Sequence, residues 1–235
     1  MHNTHHECFS CPSKDSGIFC DLKNSELSEL SNFKIENSYK KGQTLFMEGN
    51  PTYGIFCVSK GNVKISKTGE NGAEAIVRIA SPGDVIGHRS LFTEEYYSAT
   101  ATALEDSEIC FIDKKYILEM IENNPSIALN LIQKLSKDLG QSENKIASFS
   151  SKNVREKFAE FLVIMGKTHG IMENGKKKIS LKLTREEMAS IVGTATETLI
   201  RVLSDFKKEG LVELDGKYIV LENEKGIIAE ARIKN

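Results

Sequence analysis

Three of the five cysteines in the chain lie within the first twenty residues, at Cys8, Cys11 and Cys20. Clustered thiols in a reducing compartment indicate metal or redox chemistry before a disulfide framework. Three interpretations are open at this point: a metal or cluster site, a thiol–disulfide switch, and no sensing role. The other two cysteines, Cys57 and Cys110, are flanked by apolar residues, and we expect Cys57 to be buried core.

A second group of chemically capable side chains lies in the carboxy-terminal third. Thr184 followed by Glu187 forms a capping box that opens a short helix, which Gly193 ends. Thr194 followed by Glu197 forms a second capping box, which opens a longer helix. Two helices joined by a glycine-containing turn of about three residues form a helix-turn-helix.

The segment after the second helix predicts a wing. Gly210 stops the helix, and residues 212–214 and 218–221 are short apolar strands on either side of Asp215-Gly216. An Asp-Gly pair between two strands is typical of a hairpin with a type I′ turn. The whole segment is therefore predicted to be a winged helix-turn-helix.

In this geometry, the first residues of the second helix enter the major groove of DNA. An arginine can donate to guanine O6 and N7, a glutamate can accept from cytosine N4, and at i and i+4 the two also form an ion pair. A helix-turn-helix that contacts only protein is the alternative. The side chains predicted to face the bases are Thr196, Glu197, Ile200 and Arg201. Those predicted to contact phosphates are Thr184, Arg185, Thr198 and Lys207.

The residues from about 35 to 112 predict an antiparallel β-roll. Short apolar runs at 44–46, 54–58, 63–65, 75–79 and 109–112 alternate with glycines, and no helical period interrupts them. A parallel nucleotide-binding sheet is excluded by this pattern.

A long helix is expected to begin just after Pro125. One narrow face of it follows a 4-3 spacing, which favours a dimer seam over packing on its own β-domain. The seam residues are Ala128, Ile132, Leu135, Leu139, Ser142, Ile146 and Phe149. Another amphipathic helix is predicted over 151–165, and Lys176, Lys177 and Lys178 are predicted to lie in a solvated loop.

Composition bounds the class of protein. The 235 residues are 40% hydrophobic and 27% charged, with a formal net charge of −2, which excludes a disordered chain. No stretch approaches a membrane span, and the opening is too polar for a signal peptide, so we expect a cytoplasmic protein without a membrane partner. Residues 151–235 hold 16 Lys/Arg against 13 Asp/Glu and are the more basic part.

Catalytic signatures are not found in the sequence. It contains no P-loop, HExxH or glycine-rich dinucleotide motif, so we do not expect an enzyme. The histidines lie mostly at the amino terminus, where His5 and His6 beside Cys8 extend the metal interpretation to a zinc site.

The sequence resembles the family of the cyclic-AMP receptor protein and the fumarate–nitrate reduction regulator (CRP/FNR). The resemblance rests on KGQTLF at 41–46, SPGD at 81–84 with Ile86-Gly87, and LTREEMASIVGTATETLIR at 183–201. It implies an α+β fold with a cyclic-nucleotide-binding-like β-roll, a long dimerisation helix and a winged helix-turn-helix. It also implies a homodimeric transcription regulator that acts with RNA polymerase.

The resemblance extends to the DNA sequence that is read. The pattern Glu-Thr-x-x-Arg at Glu197, Thr198 and Arg201 implies a palindrome with TGA-type half-sites. Ile200 stands where the redox branch of the family has serine, which leaves the outer base of the half-site open.

In its amino-terminal region, the sequence resembles the cysteine-containing branch of the family. His88 and Tyr97 replace the acidic and arginine side chains that hold a cyclic nucleotide in the family, so cyclic AMP is not expected. A weak candidate for an effector pocket consists of His88, Arg89 and Ser98. The resemblance implies a [4Fe–4S] cluster on Cys8, Cys11, Cys20 and Cys110, although the gap before Cys20 is longer than in the better-known oxygen sensors. The alternatives are a small effector in the β-roll or thiol oxidation without a cluster.

The expected organisation has four parts. A cysteine-containing leader covers 1–25, the β-roll sensor 26–124, the dimerisation helix 125–150 and the DNA-binding domain 151–235.

Overall fold

Short strands separated by glycines build the first of two units. A computed structural model describes residues 7–11, 13–15, 17–70, 72–93 and 96–233. The amino-terminal unit lies within residues 7–73 and 77–141, and the second unit contains 142–233 together with 74–76.

The strands form two four-stranded sheets in the amino-terminal unit and one in the other. Their orders are β1-β8-β3-β6, β2-β7-β4-β5 and β11-β12-β10-β9. The strands are β1 (Ile35–Tyr39), β2 (Thr44–Phe46), β3 (Gly54–Lys60), β4 (Val63–Thr68), β5 (Glu74–Ala80), β6 (Val85–Ile86), β7 (Thr100–Ala103), β8 (Ser107–Asp113), β9 (Gly170–Glu173), β10 (Lys176–Ile179), β11 (Val212–Asp215) and β12 (Tyr218–Leu221).

Eight α-helices connect and flank these sheets in the described part of the chain. They are α1 (Asn24–Phe33), α2 (Arg89–Thr93), α3 (Lys114–Asn123), α4 (Pro125–Ser151), α5 (Val154–Thr168), α6 (Arg185–Val192), α7 (Thr196–Lys208) and α8 (Glu224–Ala231). The expected combination of an antiparallel roll, long helices and a winged helix-turn-helix is confirmed.

Two predictions of secondary structure were wrong. The five-residue helix α2 lies inside the region that was expected to be strands alone. Lys176, Lys177 and Lys178 belong to β10, where carboxylates neutralise them; Lys178 contacts Asp215 at 2.6 Å and Glu173 at 2.7 Å.

The wing turn also differs from its prediction. Asp215 pairs with Tyr218, so the two turn residues are Gly216 and Lys217. Only Gly216 has a positive φ, at 59°, whereas a type I′ turn needs a positive φ at both positions.

The helix α4 separates a buried side from an exposed apolar stripe. Ile127 and Leu131 are 0% and 3% exposed and join the core of the amino-terminal unit. On the predicted seam, Ile132, Leu139 and Ile146 are 58%, 61% and 69% exposed. A dimer seam requires this exposure in the isolated chain.

Replacing Leu139 by arginine is expected to weaken self-association. Burying a leucine contributes about 1.5–3 kcal/mol per chain, so Leu139→Arg is expected to raise the dimer dissociation constant by about 100-fold or more. Sedimentation velocity across a concentration series measures this. Asn144→Arg adds the same side chain at an exposed position off the stripe and is the control. Equal dissociation constants for the two variants would contradict the seam.

Candidate nucleic-acid interface and cysteine cavity

The first helix of the helix-turn-helix begins as the sequence indicates. Glu187 donates its backbone N–H to Thr184 Oγ1 at 3.1 Å, and the Glu187 carboxylate accepts from the Thr184 N–H at 2.8 Å. This reciprocal pair is the predicted capping box. Gly193 ends the helix in the left-handed region at φ 73°.

The second helix begins differently from its prediction. Ala195 is the residue that precedes α7, and its side chain makes no capping bond, so the capping box on Thr194 is wrong. The reason lies in the preceding turn. Both Gly193 and Thr194 donate their N–H groups to the Ala189 carbonyl, at 2.8 and 3.0 Å. Thr194 therefore belongs to the end of α6.

The helix α7 buries one face and presents the other to solvent. Leu199, Leu203 and Phe206 are buried, and Phe206 packs edge-on against Phe158 of α5 at a centroid distance of 5.3 Å. This packing holds α7 on the rest of its unit. The predicted base-facing residues Glu197, Ile200 and Arg201 are exposed, and Thr196 is half-buried.

Arg201 is positioned by a neighbour other than the predicted one. Its Nη2 donates to Thr198 Oγ1 at 3.3 Å. The structure describes both Glu197 and Arg201, and the ion pair expected between them is not formed. Glu197 lies in the first turn of α7, where the partial positive charge of the helix favours a carboxylate or a phosphate. Of the predicted phosphate contacts, Thr184 and Lys207 are exposed, whereas Arg185 and Thr198 are half-buried.

The predicted effector residues do not share one environment. His88 is 2% exposed, with Nε2 at 3.6 Å from Asp138, which is longer than a hydrogen bond. Arg89 is exposed. The half-buried Ser98 donates its N–H to Ser90 Oγ at 3.2 Å.

Tyr97 fills part of the roll interior. Its ring stacks on Phe46 at a centroid distance of 4.1 Å, and its hydroxyl donates to the Gly54 carbonyl at 2.9 Å. The position where the resemblance implies an arginine for a cyclic phosphate thus holds a buried aromatic side chain.

A cavity of about 420 Å³ in the amino-terminal unit brings cysteines together. Cys8, Cys11 and Cys110 of the predicted ligand set contribute to its wall, together with Cys57. Cys20 does not line it. The predicted set is thus divided between the cavity and another position.

Cys57 was expected to be buried core, but it is half-buried and packs at the edge of a core cluster. It lies directly opposite Cys110 in the β3–β8 pairing. An apolar flank is equally consistent with a core cysteine and with one that faces a cavity. The strand pairing was the missing information.

A buried cation lies on the cavity wall. Lys34 is 5% exposed, and its Nζ lies 3.7 Å from Cys110 Sγ and 3.6 Å from Glu36. Burial by itself would lower the pKa of Lys34, but the negative charges that Cys110, Cys8 and Glu36 can carry raise it overall.

Burial raises the pKa values of the thiols, whereas burial by itself lowers that of Lys34. It raises the pKa of Cys110 to about 11, although the charge of Lys34 opposes the rise, and it also raises the pKa values of Cys57 and Cys8. These thiols are therefore protonated at neutral pH in the metal-free chain, and binding a metal releases their protons.

A single metal ion and a metal cluster require different arrangements of ligands. As placed, no three His, Cys, Asp or Glu side chains among the described residues converge on a single ion. A polynuclear iron–sulfur cluster takes one thiolate per iron, so its ligands surround a volume instead of one point. A cysteine-lined cavity matches this requirement. The zinc candidates His5 and His6 lie outside the described residues.

The leader is attached to α4 by an amide side chain. Asn130 Nδ2 donates to the Ile18 carbonyl at 3.2 Å and to Asp21 at 3.0 Å, and it lies 3.7 Å from Cys20 Sγ. Ile18 and Leu22 are buried in the same core as Ile127 and Leu131 of α4. The leader and α4 are therefore joined both by hydrogen bonds and by a common hydrophobic core.

No helix in the described ranges is long and apolar enough to cross a membrane.

Two families match separate parts of the chain. The cyclic nucleotide-binding domain matches residues 36–124, and the Crp-like helix-turn-helix domain matches residues 156–229. These matches coincide with the roll and with the winged helix-turn-helix.

The curated relatives are transcription regulators. A CRP-like cAMP-activated global transcriptional regulator of Mycobacterium tuberculosis is 27% identical over 92% of this chain and 97% of its own length. The transcriptional activator FnrL of Cereibacter sphaeroides is 28% identical over 96% of this chain and 92% of its own. The fumarate and nitrate reduction regulatory protein of Salmonella typhimurium is 26% identical over 95% and 90%.

Solved structures share the fold. FixK2 from Bradyrhizobium japonicum superposes with a TM-score of 0.76 at 23% identity, covering 86% of this chain and 99% of its own. A CooA mutant from Carboxydothermus hydrogenoformans gives a TM-score of 0.75 at 25% identity, covering 92% and 96%. The chain is thus similar to transcription regulators, not to enzymes.

Proposed function

Because the chain belongs to the CRP/FNR family of DNA-binding transcription regulators, whose members act as dimers, we propose that it reads a palindromic promoter site under the control of an iron–sulfur cluster. The observation that carries the sensing half is the convergence of Cys8, Cys11 and Cys110 on one cavity. The DNA-reading part of the proposal rests on Glu197 and Arg201, the exposed members of the Glu-Thr-x-x-Arg pattern of α7. RNA polymerase is the proposed partner at the promoter.

The DNA contacts follow from the helix geometry. The recognition helices of a dimer enter successive major grooves about one helical turn apart. Arg201 is then positioned to donate to a guanine and Glu197 to accept from a cytosine of a TGA-type half-site. The exposed Ile200 side chain can offer only an apolar contact at the outer base, where a thymine methyl group is the matching surface.

A cyclic nucleotide does not fit the family's usual site in this chain. The Mycobacterium tuberculosis relative is described as cAMP-activated, but here Tyr97 is stacked on Phe46 and bonded to Gly54. Without an arginine at this position, a cyclic phosphate would lose its charge-assisted hydrogen bonds. We therefore place the signal at the cysteines.

The leader connects the cysteines to the dimer helix. When bound, a [4Fe–4S] cluster supplies a redox-labile crosslink between thiolates. Cys8 and Cys11 of the leader would be held against Cys110 of β8, and Asn130 ties the same leader to α4. Release of the cysteines would free the leader and alter the packing of α4. A change in α4 alters the spacing of the two recognition helices, which DNA binding requires to be fixed.

Arg201→Ala is expected to weaken binding to a TGA-containing palindrome by about 1–3 kcal/mol and to relax specificity at one base pair, because it removes the guanine contact. Fluorescence anisotropy with single-base variants of the site, at one salt concentration, measures both effects. Lys207→Ala is the control: loss of a phosphate contact lowers affinity for all the sites alike and reduces the salt slope by about 1. Wild-type affinity in Arg201→Ala would refute the base-reading assignment.

Anaerobically purified protein is expected to be brown and to contain about four iron and four sulfide ions per chain. Air should bleach the visible absorbance and lower DNA affinity by about 5–150-fold, the usual range of coupling between two sites. Cys110→Ser should prevent cluster assembly without abolishing the fold. A colourless, iron-free anaerobic preparation would rule out the cluster and leave the DNA-reading proposal intact.

Asn130→Ala is expected to separate sensing from reading, because it removes the amide that holds the leader on α4. Iron content should remain at the wild-type level, while the difference in DNA affinity between anaerobic and air-treated protein becomes smaller. Paired anisotropy titrations measure this difference. Gln133→Ala removes an exposed amide from the same helix and serves as the control. An undiminished response in Asn130→Ala would exclude this route.

A further inference from the structure

We infer that Cys57, and not Cys20, supplies the fourth thiolate of the cluster. This inference rests on the proposed iron–sulfur function and changes its ligand set to Cys8, Cys11, Cys57 and Cys110. The inference rests on one observation: these four side chains line the same cavity, and Cys20 does not line it.

The first pair of sulfurs comes from the sheet. Cys57 and Cys110 are direct partners in the antiparallel ladder of β3 and β8. Directly opposite residues point to the same face, with Cβ atoms about 4.5–5.5 Å apart. Both strands are interior members of the sheet order β1-β8-β3-β6, so neighbouring strands fix them on both sides. The sheet thus presents two thiols side by side on a rigid wall.

The second pair comes from the leader. Cys8 opens a 3₁₀ turn, Cys8–Ser10, and its backbone N–H donates to Ser31 Oγ of α1 at 2.7 Å. Ser31 is buried and its hydroxyl donates in turn to the Leu27 carbonyl at 2.8 Å. This chain of hydrogen bonds fixes Cys8 at the cavity, and Cys11 follows one turn later.

Cys20 is held elsewhere by a different set of contacts. Its side chain is exposed, and its Sγ lies 3.7 Å from Asn130 Nδ2. Ile18 and Leu22 on either side of it are buried, with 1% and 7% of their surfaces exposed. Ile18 and Phe19 line the cavity, but the Cys20 side chain contacts Asn130 instead.

One buried positive charge lies beside the thiols of the cavity wall. Lys34 is buried beside Cys110, and Glu36 is the carboxylate next to it. A buried positive charge offsets the negative charge of thiolates bound nearby, since an uncompensated charge in a buried site is strongly unfavourable. Lys34 lines the same cavity as the four cysteines.

Two single variants of the full-length chain test the inference. Cys20→Ser and Cys57→Ala are reconstituted anaerobically, and iron, sulfide and visible absorbance per chain are measured beside wild type and Cys110→Ser. We expect Cys20→Ser to match wild type. We expect Cys57→Ala to fall to the level of Cys110→Ser, with at least a twofold loss of iron.

A second measurement does not depend on the folding of a variant. Cys20 of the wild-type protein is alkylated with iodoacetamide under anaerobic conditions, before and after iron removal, and the modified peptide is quantified by mass spectrometry. We expect equal rates, because an exposed thiol that binds no iron is not protected. Slowing of tenfold or more in the iron-loaded protein would assign Cys20 to the cluster and overturn the inference.

The outcomes distinguish this inference from the function on which it rests. If wild type binds iron while Cys20→Ser does not, the ligand set proposed here is wrong and the cluster stands. If Cys57→Ala keeps the full iron content, the inference is also overturned. If anaerobic wild type contains no iron and sulfide, both the cluster and its ligand set are refuted.

Discussion

The pairing of β3 with β8 is the constraint on which the proposed sensing site depends. Alternate residues of the two strands point to opposite faces of the sheet. Phe56 pairs with Phe111 on the face that packs with Tyr97, whereas Cys57 pairs with Cys110 on the cavity face. One register therefore separates the roll interior from the cysteine cavity. A slip of one residue would exchange the two faces and place both cysteines in the roll interior.

The long helix α4 has one side buried in the amino-terminal core and an apolar stripe on another side. Its first turns bury Ile127 and Leu131 in the core that also holds the leader, and Asn130 bonds the leader directly. Its apolar stripe is exposed, with Leu139 at 61%. In the proposed mechanism, a change at the leader reaches the seam through this helix.

Bulk charge does not identify the DNA-reading surface. The net charge of −2 is close to neutral, and each lysine of β10 is paired with a carboxylate: Lys176 with Glu222, Lys177 with Glu224, and Lys178 with Glu173 and Asp215. The predicted positive groups at the reading helix are few: Arg201, Lys207 and the amino-terminal end of α7. Specific reading follows from side-chain placement, and placement depends on the packing of Leu199, Leu203 and Phe206 behind it.

The sequence determined the local elements whose signals are short: the Thr184–Glu187 capping box and the helix-turn-helix. These depend on contacts within a few residues, so pattern alone predicts them. Tertiary structure decided the rest. The turn bonds to Ala189 assigned Thr194 to α6, and the pairing of β10 gave its lysines carboxylate partners. Most of all, strand register placed Cys57 opposite Cys110, although 53 residues separate them along the chain, because pairing between distant strands leaves no local periodic trace.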